Sequence, residues 1–219
     1  MARKTKEQAN ETRQQLIDAA IKVFSERGVS ATSLSDIAIA AGVTRGAIYW
    51  HFKNKTDLLF AAYRMPIDKI DILEKEYQVK YPNNPLLVLR SILIYLLKMV
   101  IKNPQQGLLM EIFFHKCEFV GEMTSLAEQI RTIYISDYQK IEDMLIACIQ
   151  SGQLPYDVDP KRSAIMLRAL FTGLLENWLF APEHFDLQEQ SEYLVDGFID
   201  TLKYSRHLRR VIPLSAIDE

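Results

Sequence analysis

Cysteine is scarce: the 219 residues hold two, Cys117 and Cys148, with no C-x-x-C pair and no Cys/His cluster at zinc spacing. A disulfide scaffold and a structural zinc site are therefore excluded. His115 stands two residues from Cys117, so on a helix the two side chains diverge rather than converge on a metal. Both thiols read as small apolar fillers in a reducing compartment. Long hydrophobic runs are missing as well. The longest apolar block, residues 86–101, is interrupted by Arg90 and Lys98 and is too short to span a bilayer. The chain opens on charge rather than on the apolar stretch of a secretory signal, so a cytoplasmic protein with no membrane partner is expected. Glycine is sparse at 8 residues, and no repeat, low-complexity stretch or glycine-rich linker is present. Neither G-x-S-x-G nor a phosphate-cradling glycine loop occurs. An enzyme would need convergent groups of that kind, and helical periodicity leaves few strands or loops to carry them. No enzyme, cofactor or metal is expected.

A positive excess is missing too, since the net charge is −2. Taken alone, that argues against a nucleic-acid partner. The distribution points the other way: residues 1–55 carry nine Lys/Arg against five Asp/Glu, a net +4, which leaves −6 on the remainder. A basic head on an acidic body suits specific binding of a polyanion, because the body discourages indiscriminate wrapping. Hydrophobic residues make up 48% of the chain, ordinary for a globular protein. The length provides for one large or two modest domains. Nearly every segment has helical rather than alternating spacing, so the fold class is all-α.

Residues 33–52 read as two short helices joined by a tight turn. Ser33 and Asp36 form an S-x-x-D capping box ahead of an apolar stripe, Ile37, Ala38 and Ala41. Gly42 supplies the left-handed conformation that ends the first helix, and Thr44 is placed to cap the second. Ile48 and Phe52, four apart, anchor that second helix to a core. Tyr49 and Trp50 lie off the anchored face, with Arg45 one turn before Tyr49. Gly46 costs roughly 1 kcal/mol in a helix relative to Ala, understandable where the backbone must approach a phosphate or base edge. This is the composition of a helix-turn-helix that reads DNA. Arg45 suits guanine O6/N7, while Thr44, Tyr49, His51, Lys53 and Lys55 suit phosphates, with Ser33, Gly46 and Trp50 on the same surface. Arg3, Lys4 and Lys6 form a short basic arm suited to the adjacent minor groove.

The run Glu11-Thr-Arg, Ala19-Ala20, Phe24, Gly28, Thr32, Ile37-Ala38, Ala41-Gly42-Val43, Gly46, Tyr49, His51-Phe52, Lys55 and Leu58 resembles the N-terminal signature of the TetR family. Within that family the chain is most similar to the AcrR-type subgroup, the repressors of multidrug efflux pumps. The opening residues, the stretch 115–123 and the stretch 173–182 support the likeness; it is weaker around residues 61–80 and in the last dozen. The resemblance implies a DNA-binding domain over residues 1–55, its signature extending to about 70 through a connecting helix. Residues 56–219 would then be a helical ligand-binding and dimerisation domain.

The periodicity predicts a first helix over about 7–27, with Leu16, Ala20, Val23 and Phe24 inward and Gly28 as its stop. A fourth helix, capped by Asn54 and Asp57, meets Pro66, which either kinks it or breaks it at Met65. Residues 81–85 form a turn cluster, followed by helices over about 85–102, 105–119, 122–150, 161–180 and 187–207. The segment 161–180 is apolar on nearly all sides, and the last helix carries the stripe Leu194, Val195, Phe198, Ile199 and Leu202. Such a pair suits a two-fold four-helix interface, and the resemblance implies a homodimer through the same two helices. The alternative is a monomer that uses those faces as its own core.

The resemblance further implies repression of an efflux-pump operon, and of the chain's own gene, from a palindromic double-stranded operator. Small-molecule inducers such as drugs, dyes or bile-type amphiphiles would release it. Pockets in the subgroup lie among the middle helices, which points to Tyr63, Tyr95, Met110, Phe113, Phe114, Tyr134, Met166, Phe171 and Trp178 as lining. Glu111, Gln129 and Asn177 would orient a guest or balance a cation. The alternatives are a helix-turn-helix regulator of other genes that answers to a protein partner or to no ligand, and a nonspecific architectural protein.

Overall fold

The computed structural model describes residues 6–210, and among them the chain is helical throughout, with one isolated antiparallel bridge between Val158 and Arg209. The helices are α1 (Lys6–Arg27), α2 (Leu34–Ala40), α3 (Arg45–His51), α4 (Lys55–Lys80), α5 (Pro85–Lys102), α6 (Pro104–Glu111), α7 (Thr124–Gln150), α8 (Pro160–Phe180) and α9 (Leu187–Tyr204). Most starts are fixed by a side chain that accepts from the first turn. Asn103 caps α6 through the Gln105 N–H, Asp159 caps α8 through Arg162, and Asp186 caps α9 through Glu189. Proline at the first position of α6 and α8 loses no hydrogen bond there, because that N–H has no helical partner.

The chain divides into two compact units. Among the described residues, one takes in 6–70 together with Met99–Ile133, and the other holds Asp71–Lys98 and 134–210. A boundary drawn after Lys55 is therefore a division by motif, whereas packing keeps the first half of α4, α6 and the start of α7 with the N-terminal helices. The core of the first unit makes this concrete. Leu16, Ile17, Phe24, Ile37, Ile48, Phe52, Leu58 and Leu59 belong to one buried cluster with Leu109, Ile112, Met123 and Leu126. Each large apolar side chain buried there contributes about 1.5–3 kcal/mol. In the second unit Val88, Leu89, Leu93, Leu97, Leu145, Cys148, Leu167 and Phe198 are buried. Arg90 of α5 grips Asp196 of α9 through a two-pronged contact, Nε to Oδ1 at 2.6 Å and Nη2 to Oδ2 at 2.8 Å.

Several predicted boundaries need correction. Pro66 lies inside α4, and the helix runs through it; no break occurs at Met65. Residues 67–80 hold seven strong helix formers and neither glycine nor a second proline, so the helix continues. The helix predicted over 105–119 ends early: regular α-helix stops at Glu111, a wider π turn covers Ile112–Lys116, and Cys117 is extended. Lys116 is held where it stands, its carbonyl accepting from the Val29 N–H at 3.4 Å and its ammonium donating to the Ser25 carbonyl at 2.6 Å. α7 begins at Thr124 after a short 3-10 turn, Gly121–Met123, and α9 ends at Tyr204, with another 3-10 turn at Arg206–Leu208.

Candidate nucleic-acid interface

Local chemistry builds the α2–α3 corner almost unaided. Ser33 Oγ accepts from the Asp36 N–H at 3.2 Å while Asp36 Oδ2 accepts from the Ser33 N–H at 2.8 Å, closing the capping box. Hydrogen bonds from the Ser33 hydroxyl and N–H hold the Asp36 carboxyl below its ordinary value. At the other end Gly42 takes φ +65°, which favours a residue without a Cβ. Its N–H donates to the Ile39 carbonyl and that of Val43 to the Ala38 carbonyl, each at 3.0 Å. These are the two bonds of a Schellman motif, and they satisfy carbonyls the helix leaves open. Thr44 then caps α3, its Oγ1 accepting from the Ala47 N–H at 3.2 Å.

With Ile48 and Phe52 buried at 0% and 1% exposure, the rotation of α3 is fixed, and its other face is turned outward. Arg45 and Gly46 are exposed, Tyr49 is 47% exposed and Trp50 72%. The Arg45 guanidinium lies over the Tyr49 ring at 5.6 Å, and the Trp50 and His51 rings meet edge to face at 4.5 Å. Nothing in the fold demands glycine at 46: an added methyl would meet nothing nearer than Thr44 Oγ1, at 3.9 Å. Lys53 is exposed beside the end of α3. Lys4, like Arg3, lies outside the described residues.

Ser33 makes the capping box expected of it, while Lys55 fares differently from expectation. Ser33's hydroxyl is committed to Asp36, to which it also donates at 2.5 Å. Lys55 is turned inward, with a side chain 13% exposed, and its ammonium reaches the Val29 carbonyl at 3.1 Å and Glu122 Oε1 at 2.7 Å. The next residue, Thr56, donates to the Glu122 carbonyl at 3.0 Å. Lys55 is thus a strut between the start of α4, the α1–α2 turn and the 3-10 turn before α7. Its internal acceptors are remote in the chain, so sequence alone makes it look like a phosphate contact.

The residues proposed to line an effector site fall in both units. In the first, Tyr63 and Phe113 meet edge to face at 5.1 Å, and Phe113 stacks on Phe119 at 6.4 Å. Glu111 is paired with Lys116 at 2.6 Å, and the Gln129 amide donates to the Ser125 carbonyl on its own helix. Met110 and Phe114 are half-buried. In the second unit Tyr95, Phe171 and Trp178 are half-buried too, whereas Met166 is exposed on α8. The Asn177 amide donates to the Gly173 carbonyl at 2.7 Å. Tyr134 stands apart, its ring packed on the Arg168 guanidinium at 4.0 Å and on Tyr138 at 5.2 Å. Arg168, Tyr138 and Asp137 were not anticipated; the spacing of Tyr134, Asp137 and Tyr138 on one helical face was the available signal. A separate open groove of about 400 Å³, between Leu87 and Arg90 of α5 and Ile199 and Lys203 of α9, takes in none of the anticipated residues.

A capped, seven-residue α3 held by two buried anchors and carrying Arg, Gly, Tyr and Trp outward is the reading helix of a helix-turn-helix DNA-binding domain. Residues 16–62 match the family model of bacterial regulatory proteins, tetR family. Residues 84–204, more than half of the chain, match the C-terminal region of MAATS-type transcriptional repressors. The chain is 51% identical over 191 residues to the HTH-type transcriptional regulator AcrR of Shigella flexneri, covering 87% of this chain and 89% of that protein. It is 37% identical over 210 residues to the regulator TtgR of Pseudomonas putida, covering 96% and 100%. Among solved structures, a SmeT–triclosan complex superposes with a TM-score of 0.78 at 28% identity, covering 93% of this chain and 99% of that one. SmeT is described as the repressor of the Stenotrophomonas maltophilia multidrug efflux pump SmeDEF. The chain belongs to the tetR family, and it is a transcriptional regulator rather than an enzyme.

Proposed function

We propose that this protein represses a multidrug efflux operon, and its own gene, by binding a palindromic operator as a homodimer in the cytoplasm. Small lipophilic or cationic compounds release it. The observation that carries the DNA half is the outward face of α3, where Arg45, Gly46, Tyr49 and Trp50 stand together with no structural need for the glycine. The efflux target and the inducer class rest on kinship with AcrR, TtgR and SmeT, the last of which is seen with triclosan bound.

Dimerisation is supported by what α8 and α9 leave uncovered. The inward stripe of α9, Val195, Phe198, Ile199 and Leu202, is already buried within the chain. Yet Ile165 and Phe180 on α8 and Tyr193 and Tyr204 on α9 remain 59–81% exposed. Large apolar side chains in that number on two neighbouring helices suit a subunit interface. A two-fold dimer would set its reading helices roughly 34–36 Å apart, one turn of duplex. No helix among the described residues is long and apolar enough to cross a membrane.

Selection of bound oligonucleotides from a random pool tests the reading. A palindromic consensus with half-sites about one turn apart is expected, with affinity that falls steeply as salt rises. Equal affinity for scrambled duplex at low salt would refute sequence-specific repression. Polarisation of the labelled operator during titration with dyes and antibiotics then tests induction. Retention of DNA across a broad panel would favour a protein partner as the releasing signal.

A further inference from the structure

Two arginines of the second unit are held in opposite ways. Arg90 and Asp196 make the two-pronged contact expected of a guanidinium and a carboxylate, at 2.6 and 2.8 Å. Arg168 of α8 holds its carboxylate by one long prong: Nη1 donates to Asp137 Oδ2 at 3.4 Å. Its Nε is buried without an acceptor. The guanidinium also lies over ring faces, 4.0 Å from the Tyr134 centroid and 5.4 Å from that of Tyr138. The two rings stand at 72° to each other, with hydroxyls 3.3 Å apart, so they form two walls of a corner with Asp137 beside it. Burial pushes the Asp137 carboxyl above its ordinary value despite Arg168 and Lys140 nearby, and Asp71 pushes it further the same way. Lys140, paired with Asp71 at 2.6 Å, offsets this only in part.

Two aromatic faces and a desolvated carboxylate are what a protein uses to recognise an organic cation. The geometry points to Tyr134, Tyr138 and Asp137 as a cation cage with Arg168 as its resident occupant, displaced when a planar, delocalised cation enters. The ligand class follows from the occupant, for a guanidinium is flat, delocalised and weakly hydrated. Exchange keeps one positive charge beside Asp137, and it frees Arg168 Nε to reach water. Arg168 therefore sets specificity as a built-in competitor: a cation must outbid it, and a neutral guest gains nothing at Asp137. The inference deepens the inducible-repressor reading and rests on it.

Ethidium, titrated into the full-length protein without DNA and followed by its fluorescence, tests this. Removing the competitor with Arg168→Met should tighten ethidium binding roughly tenfold, the worth of one desolvated cation–π contact. Asp137→Asn placed on that variant should weaken ethidium again and leave neutral phenanthridine unchanged. Arg168→Lys, which keeps the charge on a compact and strongly hydrated head, should fall between parent and R168M, and it carries the test alone if R168M does not fold. Ethidium bound no more tightly by R168M (or by R168K in its place) overturns the inference. So does an equal gain for phenanthridine, which would mean only that an apolar space had opened. Operator affinity measured without ethidium is an independent readout, so loss of the repressor reading and loss of the cage are told apart.

Discussion

Replacing Lys55 with methionine separates two roles that one side chain could hold, phosphate contact and internal strut. Methionine keeps the stem's length and apolar packing but donates nothing. Two effects then decide the outcome. The carbonyl of Val29, a residue 1% exposed, loses a charged donor at 3.1 Å, a loss of about 1.5–3 kcal/mol. Glu122, 61% exposed, returns to water, so its ion pair adds at most about 1 kcal/mol. A better-buried methionine tip recovers part of this, leaving a net destabilisation of about 2 kcal/mol, or about 4–8 °C in Tm for a chain of this size. Circular dichroism melts would read that shift. The slope of log affinity against log salt, taken by polarisation on the selected operator, should not change. A lost phosphate contact would reduce that slope by about one per subunit. An unaltered Tm with a shallower slope would refute the strut and restore Lys55 to the DNA-facing set. Glu122→Gln, which leaves the Val29 hydrogen bond in place, should cost about 1 kcal/mol or less.

The reading face gives sharper tests still. Arg45→Ala should cost about 1–3 kcal/mol in operator binding and relax preference at one base pair; base-substituted operators would show it, and unchanged preference would confine Arg45 to the backbone. Gly46→Ala should raise helix stability by about 0.5–1 kcal/mol, since the new methyl meets only Thr44 Oγ1 at 3.9 Å, yet weaken operator binding. Undiminished affinity would mean that no nucleic acid approaches there. Asp36, whose carboxyl is held low by its hydrogen bonds to Ser33, contributes stability that is present above its unfolded value of about 4 and lost as pH falls through the folded one. Asp36→Asn should therefore melt below the parent at neutral pH and converge with it in acid, and a gap that persists at low pH would remove the charge from the cap.

What was legible in the sequence was whatever a few neighbouring residues decide. Ser33 with Asp36, Gly42 with Ile39, Val43 with Ala38, and Thr44 with Ala47 all act within five positions, so the α2–α3 corner could be written down from the chain alone. The end of the helix after Glu111 could not. Cys117, Glu118 and Phe119 all tolerate helix, and the segment departs from it where Lys116 is tied to Ser25 and Val29. Lys55 illustrates the same failure, since its partner Glu122 belongs to a distant turn. Pro66 offered a kink or a break, and local sequence could not choose between them; the helix continues through it, so the break is removed. The contacts of the polar effector candidates were likewise out of the sequence's reach. The Gln129 and Asn177 amide nitrogens donate within their own helices, and Glu111 pairs with Lys116.

That last pair also bears on how an effector could reach the DNA-reading helix. Leu109 and Ile112 share a core with Leu16, Phe24, Ile48 and Phe52, and close-packed cores shift between discrete arrangements rather than deforming smoothly. A displacement of α6 that carries Lys116 with it must break its ammonium bond to Ser25 and its carbonyl bond from Val29, or drag the end of α1 along. Releasing an operator a hundredfold requires about 2.8 kcal/mol of difference between the bound and free arrangements. One charged and one neutral hydrogen bond lie in that range together, at about 1.5–3 and 0.5–1.5 kcal/mol. If an effector works by moving α6, the ties at Lys116 are of the size that its differential affinity must overcome. A tie several times stronger would leave no small molecule able to induce, and one much weaker would leave α1 indifferent to α6.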